Sequence, residues 1–240
     1  MAPPISTVSW TSYARSYDLL MTYNPFYQAL HQEVMAEVQA WQLAPGDRLA
    51  DFGAGTGNYS LALAHLFPHA QVLHLDNDPG MNARAAEKQQ KQQLSNLSIQ
   101  SLSMHEASFP PESLAGLISI HALYTFPQPF EALEVMYQSL QSGREAILVN
   151  AGRIVQVLPW KIAIGWHLLK THGWADTRII LAEGKEVSRQ NALIRQKQRS
   201  GEYWTHSHEE FCAAVRAVGF KIKTARTTFR GISDLLVVEK

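Results

Sequence analysis

Short apolar runs alternate with helical stretches between residues 48 and 150, and no other feature constrains the fold as strongly. Five of these runs are typical of short buried strands: residues 48–52, 71–75, 97–102, 114–120 and 145–150. The stretches typical of helices cover residues 59–67, 81–93 and 130–140. Strands that alternate with helices build parallel sheets with right-handed crossovers. The sequence therefore predicts an α/β doubly wound fold.

The segments that flank this core also carry helix and strand signals. Asn24 and Pro25 are typical of an N-cap and a first helical position, which predicts a helix before the first strand. Ser207 and Glu210 have the spacing of a capping box, and Gly219 follows where that helix would end. Residues 220–227 and 232–239 flank a short turn that contains glycine, which predicts an antiparallel hairpin at an edge of the sheet.

The loop after the first predicted strand is rich in glycine. Residues 49–59 read LADFGAGTGNY. A dinucleotide-binding loop has the pattern G-x-G-x-x-G, and its third glycine position is Asn58 here. A loop that lets a ligand approach the backbone but lacks the pyrophosphate pattern suits a nucleoside ligand without phosphates.

An acidic residue ends the second predicted strand. Asp76 follows Gly57 by 19 residues, where a carboxylate can accept hydrogen bonds from the hydroxyls of a ribose. The alternative is a solvated turn in residues 76–80, which read DNDPG. The glycine loop and this acid together favour nucleoside binding.

Composition limits the remaining classes of function. The chain has 240 residues, and its 21 Lys and Arg balance its 21 Asp and Glu, so no net charge attracts a nucleic acid. Cys212 is the single cysteine, which excludes an internal disulfide. The sequence has neither a leader-like N-terminus nor an apolar run of the roughly 18 residues that a membrane span needs. We therefore expect a cytoplasmic protein without an integral membrane segment.

Three motifs resemble those of the class I S-adenosylmethionine-dependent methyltransferase family: DFGAGTG, HLDNDPGM and, near the C-terminus, GFKIKTARTTF. The resemblance covers nearly the whole chain and is clearest over residues 43–123. It implies a mostly parallel seven-stranded sheet whose last strand is antiparallel. It also implies that S-adenosylmethionine binds at the carboxyl ends of the first two strands.

The same resemblance implies which residues bind the cofactor. Asp76 would hold the ribose, and Asn77 and Met81 would flank the adenine. The residues expected around the methionine moiety are Asp51, Gly53, Ala54, Gly55 and Gly57.

Further cofactor contacts are expected from three other segments. Met104 and His105 follow the third strand, in the region that usually contacts the adenine edge in this family. They depart from the Gly-Asp-Ala pattern that is common there. Ser119 in the fourth strand is a further expected contact. Tyr13 and Tyr17 share one helical face in a segment that resembles the family's lid, so Tyr17 is expected to touch the cofactor, with packing on the core as the alternative.

We expect one domain in four parts. Residues 1–42 would form an N-terminal lid and helix, and residues 43–150 the cofactor-binding core. Residues 151–206 would form a helical insertion that covers the substrate, and residues 207–240 a C-terminal helix and hairpin.

The insertion carries tryptophans among aliphatic residues. Residues 154–169, IVQVLPWKIAIGWHLL, contain Trp160 and Trp166, which favours an apolar acceptor under a cover. Plain core packing is one alternative. Peripheral membrane contact is another, because Lys161 and Lys170 stand near the tryptophans.

His121 is the candidate catalytic residue. It directly follows the fourth strand, whose carboxyl end faces the crevice where cofactor and acceptor would meet. An ordinary histidine, with a pKa of about 6.5, can accept a proton from an acceptor near neutral pH. The alternative is a histidine that only packs or orients the substrate, and Tyr124 is the reserve candidate.

Two other groups of residues are interpreted as structural. His206, His208 and Glu209 have no further ligand at a suitable spacing, so no metal site is predicted. Cys212 lies on the apolar side of a predicted helix and is interpreted as a small buried hydrophobe.

The function expected from these patterns is methyl transfer from S-adenosylmethionine to a small molecule. A nicotinamide-dependent oxidoreductase is the first alternative, but the third glycine and a Tyr-x-x-x-Lys pair are missing. The second is a non-catalytic protein of the same fold that serves ligand sensing or protein interaction. Ala115, where the family commonly has an acid, and the departures at residues 104–105 favour it. The sequence does not indicate whether oxygen, nitrogen or carbon is methylated, nor which oligomeric state the protein adopts.

Overall fold

A seven-stranded sheet forms the centre of the part of the chain that the computed structural model describes, residues 7–103 and 109–240. The strands are β1 (Arg48–Phe52), β2 (Gln71–Asp76), β3 (Leu97–Ser101), β4 (Gly116–Ile120), β5 (Glu145–Ala151), β6 (Lys221–Thr228) and β7 (Ser233–Glu239). The helices are α1 (Trp10–Tyr23), α2 (Pro25–Val38), α3 (Asn58–Leu66), α4 (Pro79–Gln92), α5 (Pro129–Ser139), α6 (Val157–Glu183), α7 (Lys185–Arg199) and α8 (His208–Val218).

The strand order is β3-β2-β1-β4-β5-β7-β6. The first five strands pair in parallel, and β7 is antiparallel to both of its neighbours, β5 and β6. The predicted doubly wound α/β fold with an antiparallel last strand is therefore confirmed. The chain reverses its direction of travel across the sheet between β1 and β4, and a crevice opens at the carboxyl ends of strands at such a point.

Most element bounds lie within two residues of the predicted ones. Asn24 caps α2, and its side chain accepts a hydrogen bond from the Phe26 amide at 3.0 Å. The fourth strand begins at Gly116, two residues after the predicted start at residue 114. Leu114 instead makes an isolated bridge with Leu140.

Helices cover both faces of the sheet. Apolar residues of α2 and α3 form a core on one face, and those of α5 and α8 form a core on the other. Residues of β7 alternate between the two cores, as a central strand requires: Leu235 and Val237 face α2, whereas Leu236 and Val238 face α5.

The insertion after β5 is helical, as predicted. Helix α6 is interrupted at Gly173, which has left-handed φ of 72°. Helix α7 packs against α1 through a third apolar cluster that includes Tyr13, Val187 and Ile194. Within residues 7–103 and 109–240, no helix combines the length and the apolar character needed to cross a bilayer.

Helix α1 is also fixed by hydrogen bonds to two other helices. The Tyr13 hydroxyl donates to Asn191 Oδ1 in α7 at 2.8 Å. The Thr11 hydroxyl donates to Asp78 Oδ2, at the start of α4, also at 2.8 Å. These contacts hold α1 across the end of the sheet where β1 and β2 terminate.

The capping box of α8 generates a stability prediction. Ser207 Oγ accepts the Glu210 amide at 3.2 Å, and Glu210 Oε2 accepts the Ser207 amide at 2.7 Å. We expect Ser207→Ala to lower the free energy of unfolding by about 1 kcal/mol, because the Glu210 amide loses its acceptor, Ser207 Oγ. Urea unfolding of the parent and the variant measures this difference in the free energy of unfolding. The control Ser188→Ala, at an exposed position inside α7, should stay within about 0.5 kcal/mol of the parent. Equal effects of the two changes would contradict the assigned role of the cap.

Candidate functional site

A cavity of about 260 Å³ lies at the carboxyl ends of β1, β2 and β4. The loop after β1 and the end of β2 form its floor, and α1 contributes to the opposite wall. The residues that line it include Trp10, Tyr17, Met21, Tyr27, Asp51, Gly53, Ala54, Gly55, Tyr59, Asp76, Asn77, Met81, His121 and Phe126. The strand-order reversal therefore coincides with a pocket large enough to hold ligand atoms.

Backbone hydrogen bonds tie the glycine loop to β2. The amides of Gly53 and Ala54 both donate to the Leu75 carbonyl, at 2.8 and 3.0 Å. Gly53 has φ of 72°, and an added Cβ would lie 2.3 Å from the Cβ of Ala122. Only glycine therefore lets the loop pack against the segment after β4.

Gly55 has a different role in the same loop. Its φ is 57°, and the nearest atom to an added Cβ is Met81 Sδ at 4.0 Å. A side chain at this position would extend into the cavity. The absence of one leaves room for a ligand to approach the backbone.

Asp51 presents a buried carboxylate to the cavity. The residue is 2% exposed, and its Oδ2 atom has no hydrogen-bond partner within residues 7–103 and 109–240. Burial, and then the nearby charge of Asp76, raise its pKa to about 8. Hydrogen bonds from Ser60 offset only part of this shift. A buried carboxylate oxygen without a partner is costly, and a cationic or hydrogen-bond-donating ligand would compensate it.

Asp76 connects the two loops of the site. Its Oδ2 accepts the Gly55 amide at 2.8 Å, and its Oδ1 accepts the Asp78 amide at 2.9 Å. Burial raises the pKa of this carboxyl group. Each oxygen keeps a further lone pair, so the side chain can still accept hydroxyl donors from a ligand.

Asp18 attaches α1 to the floor of the site. Its carboxylate contacts Arg84 Nε at 2.9 Å and Lys88 Nζ at 3.0 Å, both in α4, and it accepts the Thr56 hydroxyl at 2.7 Å. Burial alone would raise the pKa of Asp18, but these three donors together hold it below its usual value. The neighbouring Tyr17 lines the cavity, and burial raises its pKa to about 12, so its phenol stays protonated.

His121 lies on the cavity wall in an unusual environment. Its backbone has φ of 53°, and its Nε2 is hydrogen-bonded to Ser233 Oγ at 2.8 Å. The ring lies edge-on to Tyr27 and Phe229, with centroids 5.8 and 4.7 Å away. Burial lowers the pKa of His121 to about 4, so the imidazole is neutral over the physiological range. This value differs from the ordinary pKa on which the sequence-based prediction relied.

The structure brings most of the predicted residues together around this one cavity. The residues on its wall are Tyr17, Asp51, Gly53, Ala54, Gly55, Asp76, Asn77, Met81 and His121.

The other predicted residues occupy different positions. Gly57 caps α3, and its Cα faces Leu61 and Ala85. Ser119 is buried in β4 and donates its hydroxyl to the Phe52 carbonyl at 3.0 Å. Met104 and His105 lie outside the described residues. The reserve candidate Tyr124 is buried.

Sequence reasoning missed the aromatic part of the wall. Tyr27 and Tyr59 both line the cavity, and the Tyr59 hydroxyl is buried without a partner in the described stretches 7–103 and 109–240. Tyr59 directly follows the glycine loop, and this adjacency was the available signal. Tyr27 follows a helix cap and gave no such signal, because its approach to His121 depends on the tertiary fold.

A second polar cluster surrounds the fully buried Asp234 in β7. Arg153 is paired with its carboxylate, and His208 Nδ1 lies 2.8 Å from Asp234 Oδ1. Cys212 Sγ lies 3.7 Å from His208 Nε2, but burial raises the pKa of the thiol, which therefore stays protonated. No group of three or more metal-ligating side chains is found in residues 7–103 and 109–240.

Comparison with known proteins identifies the domain. Residues 49–143 match a family described as methyltransferase domain. A SAM-dependent methyltransferase of Aquifex aeolicus shares the fold with a TM-score of 0.62 at 12% identity, over 95% of this chain and 97% of its own. The [4+2]-cyclase SpnF shares it with a TM-score of 0.66 at 13% identity, over 99% and 97%. Residues 49–143 therefore match a methyltransferase domain, and the chain shares the Rossmann-like fold of these solved structures, in agreement with the resemblance noted in the sequence.

One sequence relative is longer than this chain. An uncharacterised protein of Synechococcus sp. is 26% identical in an alignment of 205 residues that covers 78% of this chain and 48% of the relative. The chain thus spans about half the length of that relative.

The environment of Asp51 generates a prediction on pH and stability. In the ligand-free protein we expect the free energy of unfolding to fall as the pH rises from about 6.5 to 8. The folded state keeps a proton on Asp51, with a pKa of about 8, that the unfolded state has lost near its ordinary value of 3.8. The slope is at most about 1.4 kcal/mol per pH unit. Below pH 6.5 the buried His74 and His121, whose pKa values are lowered to about 4, act in the opposite sense.

Urea unfolding at a series of pH values checks this prediction. Asp51→Asn removes the titrating group at nearly constant volume and should flatten the profile between pH 6.5 and 8. Asp176→Asn, at an exposed position in α6, is the control and should keep the parental slope. A parental slope in Asp51→Asn would show that another group causes the pH dependence.

Proposed function

We propose that the chain transfers a methyl group from S-adenosylmethionine to a small-molecule acceptor bound in the cavity at the carboxyl ends of β1, β2 and β4. The Oδ2 atom of Asp51 has no hydrogen-bond partner among the residues that the structure describes, and this observation carries the proposal. A carboxyl group that ionises there only at a cost to the fold favours a ligand with positive charge, and this cofactor carries a sulfonium and an ammonium group.

The residues on the wall fit the parts of this cofactor. Asp51 and the backbone of Gly53, Ala54 and Gly55 would hold the methionine moiety, and Asp76 would accept the ribose hydroxyls. Asn77 and Met81 would flank the adenine. When bound, the cofactor supplies an activated methyl group on its sulfonium.

The chain's own contribution is to align the acceptor and exclude water. Methyl transfer needs the acceptor atom in line with the methyl carbon and the leaving sulfur, and such positioning alone lowers barriers substantially. Helix α1, attached through Asp18, and the ring of Tyr27 cover the cavity and would limit solvent access. No covalent intermediate with the protein is required.

His121 is proposed as the group that accepts the acceptor's proton. Its neutral imidazole is available as a base throughout the physiological pH range. A pKa of about 4 gives a smaller driving force for proton transfer than the ordinary value would. The contribution of His121 is therefore expected near the lower end of the usual range for a general base.

The wall beyond the glycine loop supports an apolar acceptor. Met21, Tyr27, Phe126 and Pro127 line this part of the cavity. Within the insertion at residues 151–206, Trp160 packs against Phe229, with centroids 4.9 Å apart, and Phe229 in turn contacts His121. Trp160 is thus connected to His121 through Phe229, and this indirect contact supports a role of the insertion as a substrate cover within one methyltransferase domain.

The cofactor assignment predicts the effect of filling the glycine loop. We expect Gly55→Val to weaken S-adenosylmethionine binding by tenfold to on the order of a hundredfold, because the new side chain occupies cavity space. Gly143→Val is the matched control: Gly143 also has positive φ, and an added Cβ there meets nothing within 4 Å. Both changes carry a similar backbone strain, but only the first should alter binding in calorimetric titrations.

Parallel titrations with NAD separate the alternative functions. Binding of S-adenosylmethionine alone supports the methyltransferase. Preference for NAD would favour the oxidoreductase, and binding of neither would favour a non-catalytic role. Equal cofactor affinity in Gly55→Val and Gly143→Val would place the cofactor elsewhere.

The proposed base predicts a specific kinetic change. With an acceptor found by screening small-molecule pools for release of S-adenosylhomocysteine, we expect His121→Ala to lower kcat by about 10²-fold and leave the cofactor Kd nearly unchanged. The parent's acid limb should lie near pH 4, where His121 becomes protonated, and should vanish in the variant. If the variant keeps most of its turnover, or loses cofactor binding instead, His121 has a structural role and is not the base.

A further inference from the structure

Helix α6 exposes an apolar stripe to solvent along its first half. Leu158, Ile162 and Trp166 are 68%, 63% and 62% exposed. They are spaced four residues apart and therefore share one face of the helix. We call these three residues the α6 stripe.

The other side of the same helix packs on the protein. Trp160 contacts Phe26 and Phe229, with ring centroids 5.0 and 4.9 Å apart, and Leu168 is 1% exposed. Core packing therefore accounts for one side of α6 only. The stripe on the outer side needs a separate explanation, because side chains of this size are seldom exposed together on a surface without a function.

Lysines border the stripe on both sides. At 3.6 residues per turn, Lys161 lies about 60° to one side of Leu158, and Lys170 lies about 40° beyond Trp166. Both lysines are exposed, and Lys170 Nζ lies 5.3 Å from the centroid of the Trp166 ring. Residues 157–172 contain no Asp or Glu. The outer side of this half-helix is thus apolar along its centre and positively charged at its margins.

We propose that the α6 stripe lies on an anionic lipid surface. Apolar side chains with a tryptophan would enter the boundary between headgroups and acyl chains, and flanking lysines would contact anionic headgroups. Each lysine near such a surface typically contributes about fivefold in affinity. The charge pattern and the apolar stripe both match this one kind of partner.

A second copy of this chain matches the same face less well. In a symmetric contact the stripe would pack on itself, and the lysines of the two copies would approach each other. Residues 157–172 offer no acidic side chain to compensate them. Charge complementarity therefore favours the lipid surface over self-association.

The second half of α6 provides a matched control surface. Trp174 and Ile179 are 70% and 58% exposed, so they repeat the residue types and exposure of Trp166 and Ile162. They lie on the far side of the interruption at Gly173. This half carries Asp176 and Glu183 against the single Arg178, so its net charge is negative and disfavours an anionic surface. If the α6 stripe contacts the membrane, Trp174 and Ile179 should therefore contribute nothing to membrane binding.

Vesicle flotation of the full chain tests the proposal without any need for methyl transfer. Vesicles of phosphatidylglycerol and phosphatidylcholine should bind the protein, and vesicles of phosphatidylcholine alone should bind it at least about tenfold more weakly. The double variant Ile162→Ser, Trp166→Ser should weaken binding on the order of a hundredfold. The matched double variant Trp174→Ser, Ile179→Ser should bind as the parent does.

The charge requirement has its own test. Lys161→Gln with Lys170→Gln should weaken binding to the anionic vesicles by at least about tenfold. Raised salt should also weaken the binding of the parent protein to these vesicles. Three outcomes would overturn the proposal: no binding to anionic vesicles at low salt, equal effects of the two serine double variants, or a dimer by analytical ultracentrifugation that Ile162→Ser, Trp166→Ser dissolves. The last would assign the stripe to a second copy.

Discussion

The hydrogen bonds of the Asp76 carboxylate hold the site together. One oxygen accepts the Gly55 amide and the other accepts the Asp78 amide, so the loops after β1 and β2 cannot move independently. Asp78 then accepts the Met81 amide at the start of α4 and the Thr11 hydroxyl of α1. The glycine loop, α4 and α1 are therefore linked through two carboxylates, those of Asp76 and Asp78. The position of the glycine loop depends on this connection as well as on the loop's own hydrogen bonds to Leu75.

Acidic side chains near this connection have opposite electrostatic environments. Asp18 is surrounded by Arg84 and Lys88 and keeps its charge, and it fastens α1 over the cavity. Asp51 is buried, and burial together with the nearby charge of Asp76 raises its pKa to about 8. Asp18 therefore stabilises the position of α1, whereas Asp51 destabilises the ligand-free fold at the pH where it ionises. A cationic ligand would relieve that cost, which couples ligand binding to stability.

The fold was predictable because its signals are local. The Asn24 cap, the capping box at Ser207 and the bounds of β1 depend on residues a few positions apart, and the structure has each where the sequence indicates it. The contacts that shape the site are long-range. Asp18 meets residues 66 and 70 positions away, and His121 meets Ser233 from 112 positions away. The periodicity of apolar residues in the sequence does not indicate such long-range contacts. Trp160 and Trp166 of α6 illustrate the same limit, since composition could not tell that Trp160 faces inward and Trp166 outward.

His121 shows why position alone does not define chemistry. The sequence places it correctly at the end of β4. Burial beside Tyr27 and Phe229, however, lowers its pKa from the ordinary value assumed for it to about 4. A base with a pKa of about 4 adds little driving force, so most of the proposed rate enhancement must come from alignment of an already activated methyl donor. The hydrogen bond to Ser233 and the left-handed backbone fix the ring's orientation. For proposed methyl transfer, the geometry that holds His121 and the acceptor in place therefore matters more than the basicity of the imidazole.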